Sequence, residues 1–283
     1  MDIRTVDYGS PDAPREFVTS LHETGFAVLK NHPISAELLN SIYHGWGAFF
    51  ASDEKWEFMH DPENRDGTQQ GFHPIEYSET AVGHTVKDIK EYFHVIPGCR
   101  IPAALEGEIL AYRQSALELG RRLAGWLQEH SPIEVTESLP ESFSKMLCSR
   151  TSLLRLLHYP PLTGTEEAAA VRAAAHEDIN LMTLLPVAEQ PGLQVKDKQG
   201  NWIDVASVRG ELVVNSGDML KELTDRFYPS TTHRVINPSG ENAIENVSRI
   251  SIPFFLTPRP EIKLSERYTA GSYLDERLSI ITR

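Results

Sequence analysis

Apolar residues recur at the spacing of an α-helix along much of the first half of the chain, as at Leu39, Ile42 and Trp46. Local signals mark where such stretches begin and end. Ser35 is a good N-cap before the second stretch, and Gly25, after the first, is a residue that commonly ends helices. The pattern predicts three long helices, over about residues 12–24, 35–50 and 103–130, with a short strand over about residues 26–29.

The pattern changes at about Thr151, where short β-rich runs separated by turn residues replace the helical stripes. Such a texture is typical of an antiparallel barrel or sandwich. Within it, residues 195–202 predict a hairpin whose turn lies at residues 199–201. We therefore predict a single domain over residues 1–283, mainly β with α additions. Its expected parts are a helical N-terminal half (1–148), a β core (149–258) and a C-terminal segment (259–283).

The chain has 283 residues, of which 40% are hydrophobic, enough to bury a large core. Its two cysteines, Cys99 and Cys148, lie far apart and lack the spacing of a metal site, which favours a reducing setting. The first residues show no signal-peptide pattern, and no apolar run is long enough to span a bilayer. We expect a cytoplasmic protein without a membrane partner.

The net charge of −13 argues against a nucleic-acid partner, because such binding depends on lysine and arginine side chains that neutralise phosphates. Net charge says little about an individual pocket, so it does not choose among small molecules. We therefore expect a small-molecule substrate. Whether the chain is a monomer or a homodimer stays open.

The segment from His176 to Asp178 carries the strongest chemical signal. On an extended chain, side chains two positions apart point to the same side, so both can reach one ion. A third ligand could come from His233, which lies in another β-rich run. Two imidazoles and one carboxylate form the facial triad typical of non-haem Fe(II) oxygenases. A single His-x-Asp among 11 histidines is more often a surface or hydrogen-bonded pair, so the combination carries the hypothesis.

Arg249 and Ser251 form a second polar pair that shares one face of a predicted strand. The opposite face carries Ile250, Ile252 and Phe254, which are suited to a core. An arginine at such a place can bind a carboxylate in bidentate fashion, which a lysine does less well. The alternative is that the pair is simply the solvated face of a half-buried strand.

Several motifs together resemble the isopenicillin N synthase-like branch of the 2-oxoglutarate/Fe(II)-dependent dioxygenases. In the N-terminal half, residues 25–34 resemble the family's Gly-Phe…Asn-His element, and residues 88–93 match its Asp-x-Lys-Glu-x-Phe signature. The C-terminal half carries similar stretches at residues 192–195, 202–205, 213–218, 233–235 and 249–255. The resemblance covers nearly the whole chain.

The resemblance implies a double-stranded β-helix, or jelly roll, with iron inside its open end. Fe(II) would be bound by His176, Asp178 and His233. The co-substrate 2-oxoglutarate would bind through its distal carboxylate to Arg249, Ser251 and Tyr159, and O2 would take the last metal position. Succinate and CO2 would be released while the substrate is hydroxylated, with desaturation and ring closure as variants. Many plant members have Asn two positions before this tyrosine, where the chain has Leu157, so one polar contact is in doubt.

Substrate contacts are harder to predict. Arg155 shares its strand face with Tyr159, so it could bind a substrate carboxylate or form a structural ion pair. Family analogy adds the loop around residues 71–74, the residues that follow the metal pair, and the C-terminal segment. The specific candidates are Phe72, His73, Asn180, Met182, Thr183 and Tyr273. The C-terminal segment is a candidate lid over the open barrel end, or a helix that only caps the fold.

Two other functions fit the same residues. An oxidase of the isopenicillin N synthase type keeps the iron but does not use 2-oxoglutarate. A non-catalytic barrel would bind a metal or small ligand as a sensor or scaffold, although the intact triad argues against it.

Overall fold

The structure is a computed structural model that describes residues 1–61, 69–77, 86–167, 170–188, 190–238 and 246–281. Its helices are α1 (Ala13–Thr24), α2 (Ala36–Ala51), α3 (Ala103–His130), α4 (Ile133–Glu137), α5 (Phe143–Met146), α6 (Asp218–Leu223) and α7 (Ala270–Ile281). Short 3-10 turns cover Asp53–Phe58 and Ile75–Tyr77. The strands are β1 (Thr5–Asp7), β2 (Phe26–Lys30), β3 (Gly71–His73), β4 (Glu91–Val95), β5 (Leu153–Tyr159), β6 (Ala173–His176), β7 (Met182–Pro186), β8 (Leu193–Lys196), β9 (Trp202–Asp204), β10 (Leu212–Ser216), β11 (His233–Val235), β12 (Arg249–Ser251) and β13 (Phe254–Leu256).

The three long helices expected from the sequence are confirmed, and local interactions fix their ends. Gly25 follows α1 in the left-handed region, with φ 75°, and its N–H donates to the Leu21 carbonyl at 2.8 Å. At the start of α2, the Ser35 hydroxyl accepts a hydrogen bond from the Leu38 N–H at 3.2 Å. These helices pack their apolar stripes into one large core with the sheet.

The strands form two sheets, as a jelly-roll core requires. The larger has the order β1-β2-β10-β7-β13-β5-β4-β3, with β12 also paired to β5. The smaller has the order β6-β11-β8-β9. Apolar side chains of both sheets share buried clusters: Tyr159 of β5 and Val235 of β11 belong to one, and Val213 of β10 and Val195 of β8 belong to another. Side chains on the inner faces of the two sheets therefore lie in the space between the sheets.

Two details of the β core can be compared with the predictions made from the sequence. The hairpin expected over residues 195–202 is confirmed, with Lys196 of β8 paired to Trp202 of β9. The run that begins at Arg249 differs, because it is divided into β12 and β13. Pro253 lies in the gap, where it has no N–H to give to a ladder, and its carbonyl accepts from the Arg155 N–H at 3.0 Å. Among the described residues, no helix is long and apolar enough to cross a membrane.

Candidate metal centre

Three ligand side chains meet where β6 ends and β11 begins. His176 is the last residue of β6 and pairs with His233, the first residue of β11. Asp178 lies two residues beyond β6, just outside the extended segment that the sequence predicted for both members of the pair. The Nε2 atoms of both histidines lie 3.7 Å from Oδ1 of Asp178. The donor atoms of the triad all lie within 4.8 Å of one another.

Backbone carbonyls fix the orientation of both imidazoles. The Nδ1 atom of His176 contacts the Ala174 carbonyl at 2.7 Å, and Nδ1 of His233 contacts the Thr231 carbonyl at 3.1 Å. Because a carbonyl can only accept, each Nδ1 carries the proton and each Nε2 presents a lone pair towards Asp178. Loss of hydration, with His233 beside it, lowers the pKa of His176 to about 4 even though 40% of its side chain is exposed, and this favours the neutral ring that a metal needs.

Asp178 is held as a carboxylate by its surroundings. Its Oδ2 atom accepts hydrogen bonds from the Thr183 hydroxyl of β7 and from the Asn215 amide of β10, the latter at 2.8 Å. Burial alone raises its pKa, but its surroundings, these two donors among them, outweigh burial and lower it. One oxygen is thus held by the protein while Oδ1 faces the histidines. Two neutral imidazoles and one carboxylate are a donor set that suits Fe(II).

The loop after β10 packs directly under the ligand segment. The Asp218 N–H donates to the Asp178 carbonyl at 2.8 Å, and the Gly217 N–H donates to the Leu181 carbonyl at 3.0 Å. A Cβ atom at Gly217 would lie 2.2 Å from Oδ1 of Asn180 and 2.8 Å from the Asp178 carbonyl. Only glycine allows this close approach without a shift of the ligand segment.

Glu177, between the two ligands at the end of β6, makes contacts of its own. Its carboxylate accepts from the Lys221 ammonium at 3.3 Å and from the Thr232 hydroxyl at 3.1 Å. Thr232 directly precedes His233, so Glu177 connects the two ligand-bearing segments. It also lines a cavity of about 250 Å³ together with Asp218 and Tyr273, which is separate from the ligand atoms.

The residues that the sequence predicts as carboxylate ligands lie together on the inner face of the larger sheet, and we call this group, Arg249, Ser251 and Tyr159, the carboxylate clamp. Arg249 pairs with Tyr159 across β12 and β5, and its guanidinium lies 5.3 Å from the centre of the Tyr159 ring. Nη1 of Arg249 donates to the Ser251 hydroxyl, and Nε donates to the Gln190 carbonyl at 3.0 Å. Leu157, opposite Ser251, contributes no polar group here.

Arg249 is only 4% exposed, and its partners in the described part of the chain are neutral. Burial lowers its pKa from the ordinary arginine value, which expresses the cost of holding a cation away from water. A buried guanidinium with neutral partners is suited to an incoming carboxylate.

Two of the substrate candidates lie on this same inner face. Arg155 is on the Tyr159 side of β5, and its Nε donates to Nε2 of His94 at 2.7 Å. Its guanidinium lies 4.7 Å from the centre of the Tyr92 ring. His73 pairs with Tyr92 across β3 and β4, and the two rings stack with centroids 4.6 Å apart.

The structure does not bring the other substrate candidates to this face. Phe72 points away from His73 and is fully buried against Phe50 and Trp56, as alternation along a strand requires. Met182 is 1% exposed in the core. Asn180 is fully buried and donates to the Thr183 hydroxyl at 2.8 Å, so it supports Asp178 indirectly, through Thr183.

Tyr273 of α7 also lies elsewhere. It is 4% exposed, donates to Oδ2 of Asp218 at 3.1 Å and accepts from Arg277 at 2.9 Å. The segment before α7 contributes Ile262 and Leu264 to the core. Through these contacts, α7 and the segment before it brace the fold. The role of the C-terminal segment as a lid stays a prediction.

Sequence reasoning did not assign the residues that support the ligands. Thr183 was grouped with the substrate candidates, and it instead donates to Asp178. Asn215 lies in a stretch that matched the family, and its register opposite Thr183 across β10 and β7 brings it to the same carboxylate. That pairing is not visible in the sequence.

Comparison with known proteins decides the family. The 2OG-Fe(II) oxygenase superfamily model matches residues 150–258, and the model of the non-haem dioxygenase N-terminal domain matches residues 4–106. The crystal structure of a putative oxygenase from Shewanella oneidensis is 51% identical, covers 99% of this chain and 98% of that chain, and has a TM-score of 0.87. A putative 2OG-Fe(II) oxygenase family protein from Caulobacter crescentus is 30% identical, with 98% of both chains covered and a TM-score of 0.74. The chain belongs to the 2OG-Fe(II) oxygenase superfamily.

The chain spans nearly the full length of one curated relative. The proline hydroxylase of Petromyces alliaceus is 29% identical over 98% of this chain and 99% of its own length. A full-length Neurospora crassa protein, crystallised in complex with alpha-KG, is 23% identical over 97% of this chain and 95% of that chain, and shares the fold with a TM-score of 0.79. The reaction class predicted from the sequence is confirmed, and the enzyme is an Fe(II)- and 2-oxoglutarate-dependent dioxygenase.

Proposed function

We propose that His176, Asp178 and His233 bind the iron of this dioxygenase, and that Arg249, Ser251 and Tyr159 bind the distal carboxylate of 2-oxoglutarate. The observation that carries this assignment is Arg249, a buried guanidinium with neutral partners, paired with Tyr159. Tyr159 belongs to one buried cluster with Ala173 of β6 and Val235 of β11, the strands that carry the two histidines. When bound, iron and 2-oxoglutarate together supply O2 activation coupled to oxidative decarboxylation, with succinate and CO2 as products.

The protein's own groups perform the remaining tasks. The Ala174 and Thr231 carbonyls keep both ring Nδ1 atoms protonated, so the ligand nitrogens stay aimed at one point. Thr183 and Asn215 keep one oxygen of Asp178 occupied, which leaves a single oxygen for the metal. The Tyr159 ring keeps water from one side of Arg249, which strengthens the charge–charge attraction for a carboxylate.

We infer that the substrate enters on the side of His73 and Arg155. The Arg155 guanidinium is held between the Tyr92 ring, at 4.7 Å, and the Phe255 ring, at 5.7 Å, while His94 fixes its Nε. Phe255 pairs with Thr183 across β13 and β7, so this group of residues borders the metal centre. An arginine fixed in this way suits a substrate with a carboxylate or another acceptor group, and hydroxylation is the expected outcome.

Curated relatives are named for acting on small molecules, among them the feruloyl CoA ortho-hydroxylase 2 of Arabidopsis thaliana. We place this enzyme in the isopenicillin N synthase-like branch on the motifs in both halves of the chain. Its two free cysteines fit a cytoplasmic setting. No nucleic-acid partner is proposed, in line with the net charge of −13.

The metal assignment is tested by replacing each ligand. His176→Ala, Asp178→Ala and His233→Ala should each remove most bound Fe(II) and all oxidation, because each deletes one of three protein ligands. His44→Ala, at an exposed position on α2, is the matched control and should keep both. Iron content and succinate release, screened against metabolite mixtures, are the measurements. Wild-type iron and turnover in any of the three ligand variants would refute the assignment.

A further inference from the structure

A second arginine is buried beside the carboxylate clamp. Arg172, directly before β6, is 1% exposed, and its Nη2 donates to the Val247 carbonyl at 2.9 Å, two residues before Arg249. Nε of Arg249 donates to the Gln190 carbonyl at 3.0 Å. Gln190 and Val247 line, together with Arg172, a cavity of about 160 Å³. Arg172 therefore lines this cavity, and Arg249 donates to Gln190, another residue of its lining.

Neither arginine has an anionic partner among the described residues. Nε of Arg172 is buried and makes no hydrogen bond there. Asp204 also lines the cavity, but its carboxylate accepts from the Gln194 amide at 3.0 Å, and it forms no ion pair with Arg172 in the described part of the chain. Burial, together with the charge of Arg249, lowers the pKa of Arg172. Two buried like charges without a counter-ion are costly, so this end of the site favours negative charge.

We propose that Arg172 is a specificity-determining residue that makes the enzyme select a doubly charged oxo acid as co-substrate. The inference rests on the proposed function, in which Arg249 binds the distal carboxylate of 2-oxoglutarate. That carboxylate then lies close to both guanidinium groups, and Arg172 attracts it through space without contact. An oxo acid that lacks the distal carboxylate leaves both guanidinium groups without a counter-ion, so Arg172 does not strengthen its binding.

The test compares two ligands of equal chain length, 2-oxoglutarate and 2-oxopentanoate, which lacks the distal carboxylate. Each is titrated anaerobically into the Fe(II)-loaded enzyme, and binding is followed by the visible charge-transfer band of the metal–oxo acid complex. Arg172→Gln should weaken 2-oxoglutarate binding by roughly tenfold or more, since buried charges interact strongly at an effective dielectric of about 20. Binding of 2-oxopentanoate should change by about twofold at most, so the selectivity ratio falls.

Two further variants keep the result interpretable. Arg172→Lys retains the charge and should keep the ratio near that of the wild type. Arg113→Gln is the matched control. Nε of Arg113 is also buried without a partner in the described part of the chain, and Arg113 donates to the Ser149 and Ser152 carbonyls, which do not line this cavity. It should leave the ratio unchanged.

Three results would overturn the proposal. They are unchanged 2-oxoglutarate affinity in Arg172→Gln, equal weakening of both ligands, and loss of the ratio in the folded Arg172→Lys variant. If Arg172→Gln does not fold, the ratio in Arg172→Lys decides alone. Failure of the wild type to bind 2-oxoglutarate at all would instead refute the proposed function, before Arg172 is considered.

Discussion

Thr183→Val tests the support of the metal ligand with little change in shape. The substitution replaces a hydroxyl by a methyl group on a side chain that is 2% exposed. It removes the hydrogen bond to Oδ2 of Asp178, and it also removes the acceptor for the Asn180 amide, which donates to Thr183 at 2.8 Å. Asp178 then keeps only the Asn215 amide on that oxygen.

A hydrogen bond to a charged group contributes about 1.5–3 kcal/mol. Loss of a supporting partner of a metal ligand typically weakens metal binding by about ten- to a hundredfold. The effect should also depend on pH. Thr183 is one of the groups that lower the pKa of Asp178, so its removal raises that pKa and lets protons compete with iron at higher pH. The loss of affinity should therefore appear towards the ordinary carboxylate range and be larger near pH 4.5 than near pH 7.5.

The assay is an anaerobic titration with Fe(II) at both pH values. Thr183→Ser is the matched control, because it keeps the hydroxyl, and its affinity should stay within about threefold of the wild type. If Thr183→Val bound iron within twofold of the wild type at both pH values, the argument that Thr183 holds the carboxylate would be refuted.

Three further predictions follow from neighbouring contacts. Gly217→Ala forces the ligand segment to move, so it should lower the free energy of unfolding by about 1–3 kcal/mol, lower the Tm by several degrees and weaken iron binding. Gly107→Ala is the control, because no atom lies within 4 Å of its Cβ, and it should have none of these effects. An unshifted Tm in the Gly217 variant would contradict the close approach seen there. Glu177→Ala should weaken iron binding by about tenfold, because it removes the hydrogen bond from Thr232 that adds to the β6–β11 pairing between the two ligand-bearing segments. Fe(II) titration measures this, and unchanged affinity would contradict it. Tyr273→Phe should cost about 1 kcal/mol of stability in thermal unfolding by removing the hydrogen bond to Asp218, yet leave substrate oxidation coupled to succinate release. Succinate release without substrate oxidation would indicate that the C-terminal segment acts as a lid, not only as a helix that braces the fold.

What could be predicted from the sequence depends on how local the signal is. The bounds of α1 and α2 follow from Ser35 and Gly25, whose effects act within one turn of the helix. The triad and the Arg249–Ser251 pair follow from spacing along strands, together with motifs specific to the family. Both kinds of information are contained in short stretches of sequence.

The supporting residues depend on strand register between distant parts of the chain. Asn215 reaches Asp178 because β10 lies beside β7, and the Arg172 side chain reaches the backbone of Val247, two residues before Arg249. Alternation places Phe72 and His73 on opposite faces of β3, but it does not say which face is the core. Packing of the sheet against α2 decides that, and this packing is a long-range property.

The most direct test of the account is an anaerobic titration of the Fe(II)-loaded enzyme with 2-oxoglutarate, in the wild type and in Arg249→Gln. We predict a visible charge-transfer band in the wild type that saturates at one co-substrate per chain. In Arg249→Gln, the same iron content should give a band only at far higher concentrations, because loss of the buried charged partner costs about 2–5 kcal/mol. A wild type that binds iron but shows no band, or a variant that saturates like the wild type, would contradict the assignment of this site.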